Sequence, residues 1–235
     1  MFHTLIAALF TAMLVVGVPM LSYSTARNSQ IRELPRLTIY VSAVFSQWVL
    51  ALLGSGVVLL VAPEVFRVGF RVLPLVDALG WAAGIALVSL LALGLVLLCE
   101  HRGWLPQESE LVNLLIPETT REKVWSVAIV APTAAFCEEF LYRGFLLTQL
   151  THWLHSTGWA WVMCSVAFGL AHSYQGWGGM IRAGLLGALL AYPVVRFGSL
   201  YPSMLAHWLI DAVALIWLGR WLSRRDVSVE GRMLQ

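Results

Sequence analysis

Charge is what this sequence has least of. Asp, Glu, Lys and Arg make up 12% of its 235 residues, against roughly 25% in soluble domains, and mean hydropathy is +0.78. That scarcity excludes a water-soluble domain with an ordinary charged surface. Cysteine is scarce too. Cys99, Cys137 and Cys164 fall in or at the edge of apolar runs, and the lack of paired spacing excludes a disulfide framework or a CxxC metal site. They read as packing residues, with Cys137 set apart only by its neighbour Glu138. There is no HExxH sequence and no serine or cysteine in a recognisable nucleophile motif. Repeats, low-complexity tracts and a separate soluble domain are lacking as well. The net charge of +2 singles out no partner, and nucleic acid is not expected as one.

Apolar runs are what the sequence has in abundance. A membrane-spanning helix takes ~20 largely apolar residues, and seven candidate runs occur at 2–21, 38–62, 78–99, 124–150, 159–174, 180–196 and 200–221. The expected fold is therefore all-α, a polytopic transmembrane helix bundle of about seven spans. Alternating spans with the N-terminus outside put Arg27, Arg32, Arg36, Arg102, Arg121, Lys123, Arg182, Arg220, Arg224, Arg225 and Arg232 on the cytoplasmic side. Only Arg67, Arg71 and Arg196 fall outside, and Arg143 lies within a span. Cationic loops favour the cytoplasm, so the C-terminus is expected there, in an integral membrane protein. Trp104, Trp125, Trp159, Trp177 and Trp221 near span ends agree.

The first run lacks a basic leading region and is longer than a signal-peptide core, so it is expected to be a retained span despite Ser24-Thr25-Ala26. Residues 1–123 read as scaffold spans plus a polar connection, 124–222 as a catalytic helix core, and 223–235 as a cytoplasmic tail, all within one integrated membrane domain. The spacings Gly54-Ser55-Gly56 and Gly80…Gly84 favour close helix packing. The connection 100–123 is the one sizeable polar segment. Its 109–116 stretch is expected either on the membrane surface or as a lid near the site.

Three residue pairs in the second half stand four apart, which stacks them on one helix face. Glu139 and Arg143 are the first, with Glu138 turned by about 100° from its neighbour, on a stripe with Tyr142. Charged groups in the hydrocarbon layer are costly and mark function by default. The division expected is Glu139–Arg143 as a clamp and Glu138 as the free base. Phe168 and His172 form the second pair, and His207 and Asp211 the third. If these spans turn their polar faces inward, Glu138, His172 and His207 converge. A carboxylate beside an imidazole can deprotonate and orient a water. His207 can then donate a hydrogen bond to negative charge developing on a carbonyl, with Asp211 orienting it or itself protonated. Glu138, His172 and His207 are also an acceptable three-ligand zinc set, but the water mechanism needs no metal and no cofactor is favoured.

These residues carry a family resemblance. EEFLYR at 138–143 matches the EExxxR motif of the CPBP intramembrane proteases, the group of CAAX prenyl endopeptidases and bacteriocin-processing (Abi) proteins. FGLAH at 168–172 is similar to that family's FxxxH, and HWLID at 207–211 to its HxxxN or HxxxD. The approach RFGSLYPSMLAH at 196–207 resembles the family as well, and the likeness covers about 124–217, leaving the first hundred residues unmatched. The resemblance implies a glutamic-type intramembrane endopeptidase. It would cut a membrane protein or lipidated peptide, near the C-terminus in the CAAX enzymes. Glu138 and His172 would activate water, His207 and Asp211 would form the oxyanion side, and Glu139 with Arg143 would support them. Asp211 stands where the prenyl proteases typically carry Asn. An ionised Asp cannot donate a hydrogen bond, which favours the broader Abi-type branch, whose bacterial members are proposed to trim C-terminal sorting tails or give bacteriocin self-immunity. A zinc-dependent version, a non-catalytic immunity or scaffold protein, and a proton-coupled transporter are the alternatives.

One requirement on the fold follows. At ~1.5 Å per residue, straight spans put Glu138 mid-membrane, His172 near the inner face and His207 nearer the outer face. Tilt, a break at Pro132, or a span that does not fully cross is needed to bring them together.

Overall fold

The computed structural model describes residues 2–61, 69–105 and 111–218. The tail at 223–235, Arg67, and the start of the 109–116 stretch lie outside them. Each apolar run forms a helix, because a chain without water around it must satisfy its backbone groups within the segment. Helix α1 is Phe2–Arg27, α2 is Arg36–Val61 and α3 is Leu75–His101. The short α4, Leu111–Leu115, lies in the polar connection. Then come α5, Thr120–Leu154, α6, Thr157–Ala171, and α7, Gly176–Phe197. Helix α8, Tyr201–Val213, is continued by a π-helical turn, Ala214–Leu218. Five helical stretches are long and apolar enough to cross a membrane: α1, α2, α3, α5 and Ser173–Phe197, which contains α7. The fold is an all-α polytopic bundle.

Local sequence explains where these helices bend and stop. Proline offers no N–H and crowds the carbonyl four residues back. Helix α1 widens to a π turn at Met13–Gly17 just before Pro19, and α5 does so at Ser126–Val130 just before Pro132. The start of α5 is a capping box, in which Thr119 accepts from Glu122 N–H and the Glu122 carboxylate accepts from the Thr119 N–H. Gly198 ends α7 at φ 68, a left-handed position that suits glycine. The next residues pair with the chain between α2 and α3, as Leu200 N–H donates to Gly69 O at 2.6 Å.

The distribution of polarity is inside-out. Phe45, Leu52, Leu87 and Leu91 face outward, whereas Glu139 and Arg143 are fully buried. The main core gathers Phe10 and Leu14 of α1, Ala51 and Val58 of α2, Cys137, Leu141 and Leu146 of α5, and Phe168 of α6. A second cluster joins Ala82, Ile85 and Ala86 of α3 to Leu190 of α7 and Ala206 and Ile210 of α8.

The small-residue expectations divide. A Cβ on Gly54 would sit 2.9 Å from Leu141 and 3.0 Å from Phe10, so this glycine does permit close packing. Gly56, Gly80 and Gly84 meet nothing within 4 Å. Helix α3 packs instead through Ala82, Ile85 and Ala86, on a different face. The tightest crossing is α6 on α7, where a Cβ on Gly169 would meet Met180 O at 2.7 Å. Cys137 and Cys164 are buried packing residues. Arg182, read as a cytoplasmic cation, is buried with its guanidinium 3.5 Å from Glu100. That pairing offsets the cost of burying both charges.

Candidate active site

The segment of α5 that carries the paired glutamates is itself irregular. Residues Glu139–Leu146 are π-helical, a wider winding that recurs at functional sites. Glu139, Tyr142 and Arg143 are buried within it. Arg143 Nη1 donates to Glu139 Oε1 at 3.0 Å, a single contact, with both side chains at most 1% exposed. Its guanidinium lies 4.0 Å over the Phe168 ring of α6, a cation–π contact strengthened by desolvation. Phe168 also meets Tyr142 edge-on at 5.1 Å and His172 at 4.6 Å. Gly187 of α7 makes room for this stack, since a Cβ there would stand 3.0 Å from both Arg143 Nη2 and the Phe168 ring.

Two imidazoles face Glu138, each oriented by its far nitrogen. His172 closes α6, and its Nδ1 lies 2.8 Å from Phe168 O. A carbonyl only accepts, so Nδ1 carries a proton and donates to it. The Nε2 of His172 is 3.9 Å from Glu138 Oε2. His207 of α8 has Nδ1 2.8 Å from Glu139 Oε1, which turns its Nε2 to within 4.0 Å of the same Glu138 oxygen. Asp211 Oδ2 stands 3.5 Å from His207 Nε2 and is one-third exposed. The group that orients the His207 ring is thus Glu139 rather than Asp211. Glu139 lies on the buried inner stripe of α5 facing α8, while Asp211 sits one turn further along and approaches the other nitrogen.

The six residues of the three pairs, with Glu138 and Tyr142 beside the first, come together here: Glu138, Glu139, Tyr142, Arg143, Phe168, His172, His207 and Asp211. Of the means expected to bring these residues together, a short helix and an irregularity beside Pro132 are both present. Helix α6 has 15 residues, about 22 Å of helix, short of the ~30 Å hydrocarbon core. It ends at His172, and the chain turns back through Ser173–Gln175.

Two contacts come from helices that carry none of the three motifs. Gln47 Nε2 of α2 donates to Glu138 Oε1 at 2.8 Å. Ser22 of α1 holds the turn after His172, accepting from Tyr174 N–H at 3.1 Å and lying 3.1 Å from Ser173 Oγ. The signal for Gln47 was present in the sequence as the one amide in an otherwise apolar span. Ser22 carries no such signal.

The spacing suits a water between the carboxylate and the imidazoles. The two gaps, 3.9 and 4.0 Å, are too long for direct hydrogen bonds and leave room for a water within ~2.8–3.2 Å of both atoms of a pair. A tetrahedral zinc, with bonds of ~2.0–2.1 Å, brings neighbouring ligand atoms to about 3.4 Å. Among the described residues no group of three His, Cys, Asp or Glu side chains is arranged to hold a metal ion. The set Glu138, His172 and His207 as placed does not fit zinc.

Comparison with known proteins adds one match. The family model described as Type II CAAX prenyl endopeptidase Rce1-like matches residues 120–213. The match is to the CAAX group, although Asp211 stands where the prenyl proteases typically carry Asn. No curated protein and no solved structure matches the chain.

Proposed function

Since residues 120–213 belong to the CPBP/CAAX intramembrane protease family, we propose that this chain hydrolyses a peptide bond near the C-terminus of a membrane-associated protein or lipidated peptide, by a glutamic mechanism without metal. The observation that supports this most is Glu138 Oε2, 3.9 Å from His172 Nε2 and 4.0 Å from His207 Nε2. Glu138 and His172 take a proton from water as its oxygen attacks the scissile carbonyl. The proton is passed to the leaving amine as the C–N bond breaks. His207 in its imidazolium form presents Nε2–H to the oxyanion, and donors fixed beforehand at that point lower the barrier most. Glu139 and Arg143 hold the frame, Phe168 and Tyr142 pack it, and Asp211 lies beside the oxyanion position. Residues 1–123 form the scaffold of one integrated membrane domain. We place the N-terminus outside, on Arg27, Arg32, Arg36, Arg102, Arg121 and Lys123 in the connections after the first and third spans, and take the bacterial inner membrane from the family resemblance alone.

The test is C-terminal peptide profiling of the host's membrane proteins in wild type, a Glu138→Gln strain and a deletion strain, at equal protein abundance. Uncut C-termini shared by the variant and the deletion are expected, and they name the substrate. Wild-type processing by Glu138→Gln would overturn the glutamate mechanism. A deletion phenotype that survives in that variant would point to a non-catalytic protein.

A further inference from the structure

Helix α2 lies outside the matched residues 120–213, yet one of its side chains reaches the site. Tyr40, Ala51, Gly54 and Val58 are its buried residues. With Gln47 they fall at steps of seven, four, three and four, the spacing of one packed helix face. An apolar side chain is expected at position 47 of such a seam, because an amide there costs free energy unless it is bonded. Gln47 is bonded through its nitrogen, and the partner is the group read above as the base; Gln47 Oε1 is buried with no partner among the described residues. Its Nε2 donates to Glu138 Oε1 at 2.8 Å. A carboxylate only accepts, so the amide nitrogen is the atom that must face it. This is the only hydrogen bond to the Glu138 carboxylate among the described residues, and Oε2 is left to face the two imidazoles.

We propose that Gln47 is a positioning residue for catalysis, tethering one oxygen of Glu138 so that the other sits equally spaced from His172 and His207. The inference rests on the proposed function. Without the tether the carboxylate turns freely about its last torsion, and Oε2 leaves the point that both imidazoles face. The helix carrying the tether is scaffold by sequence pattern, so the active site extends beyond the three motifs into the N-terminal half.

The experiment uses the full chain in lipid nanodiscs. Its probe is a quenched fluorescent peptide bearing a prenylated C-terminal Cys-aliphatic-aliphatic-X sequence. Gln47→Met, similar in length but without a donor, is expected to lower kcat by about tenfold or more, the scale of a lost hydrogen bond to a charged group. KM and Tm are expected to stay at wild-type values, and Gln47→His, which keeps an N–H, to recover most of kcat. Should Gln47→Met not fold, Gln47→Asn carries the same prediction, because it withdraws the amide by one methylene. A wild-type kcat in the donor-free or shortened variant overturns the inference, as does a fall in Tm with kcat per folded enzyme intact. Those outcomes leave the proposed function standing provided Glu138→Gln is inactive. A wild-type chain that cuts neither this probe nor any C-terminus found by the profiling above, or a fully active Glu138→Gln, removes the proposed function and the inference with it.

Discussion

Glu139 Oε1 is the most heavily used atom of the site, facing Arg143 Nη1 at 3.0 Å and His207 Nδ1 at 2.8 Å. Breaking a buried ion pair on one side leaves the other charge uncompensated, at a cost of about 3–5 kcal/mol. Glu139→Gln is therefore expected to lower stability on that scale and to reduce activity by releasing His207. Thermal unfolding and turnover in nanodiscs measure both, and an unchanged Tm would remove the clamp from the account. Arg143→Lys keeps the charge but loses the flat guanidinium that stacks at 4.0 Å on Phe168. It is expected to lose activity while retaining membrane expression, and a fully active variant would show that charge alone suffices. The Glu139–Arg143 contact was legible in the sequence from its four-residue spacing. The Glu139–His207 contact was not, since its partners are 68 positions apart and meet only through the packing of α5 on α8.

At the scale of elements, seven apolar runs mark the helices, but their lengths decide the geometry. Periodicity finds α6 without showing that a helix of 15 residues stops short and delivers His172 to the level of Glu138. The π winding of Glu139–Leu146 likewise leaves no mark in the pattern of apolar residues. Glycine illustrates the same divide, because spacing shows that small residues recur but not which ones touch a neighbour. A methyl group on Gly187 collides with Arg143 Nη2 and the Phe168 ring at 3.0 Å, whereas one on Gly80 meets open space. Gly187→Ala is expected to cut activity by displacing the stack. Gly80→Ala is expected to be neutral or to stabilise by about 0.5–1 kcal/mol, the usual gain in a helix interior. Equal activity of the two variants would mean that the stack tolerates displacement.

The whole molecule divides differently from its family match. Residues 120–213 hold the three motifs, but Phe10, Leu14, Ala51 and Val58 from α1 and α2 share the core with Cys137 and Leu141. Ser22 and Gln47 reach the site from the same two helices. A chain beginning at Thr120 is accordingly expected to be inactive and poorly folded. Co-expression of residues 1–119 as a separate chain is expected to restore activity. Size-exclusion profiles and turnover in lipid measure this, and an active, monodisperse fragment alone would return the N-terminal helices to a passive role.

The His207–Glu139 bond also constrains how a substrate can reach the site. It staples α8 to α5 at the atom that aims the imidazole. A peptide sliding in from the lipid between these two helices would have to pull the staple, and the catalyst would lose its aim as its cargo arrived. On the proposed function, a substrate that enters through any other seam leaves that bond, and the aim of His207, intact.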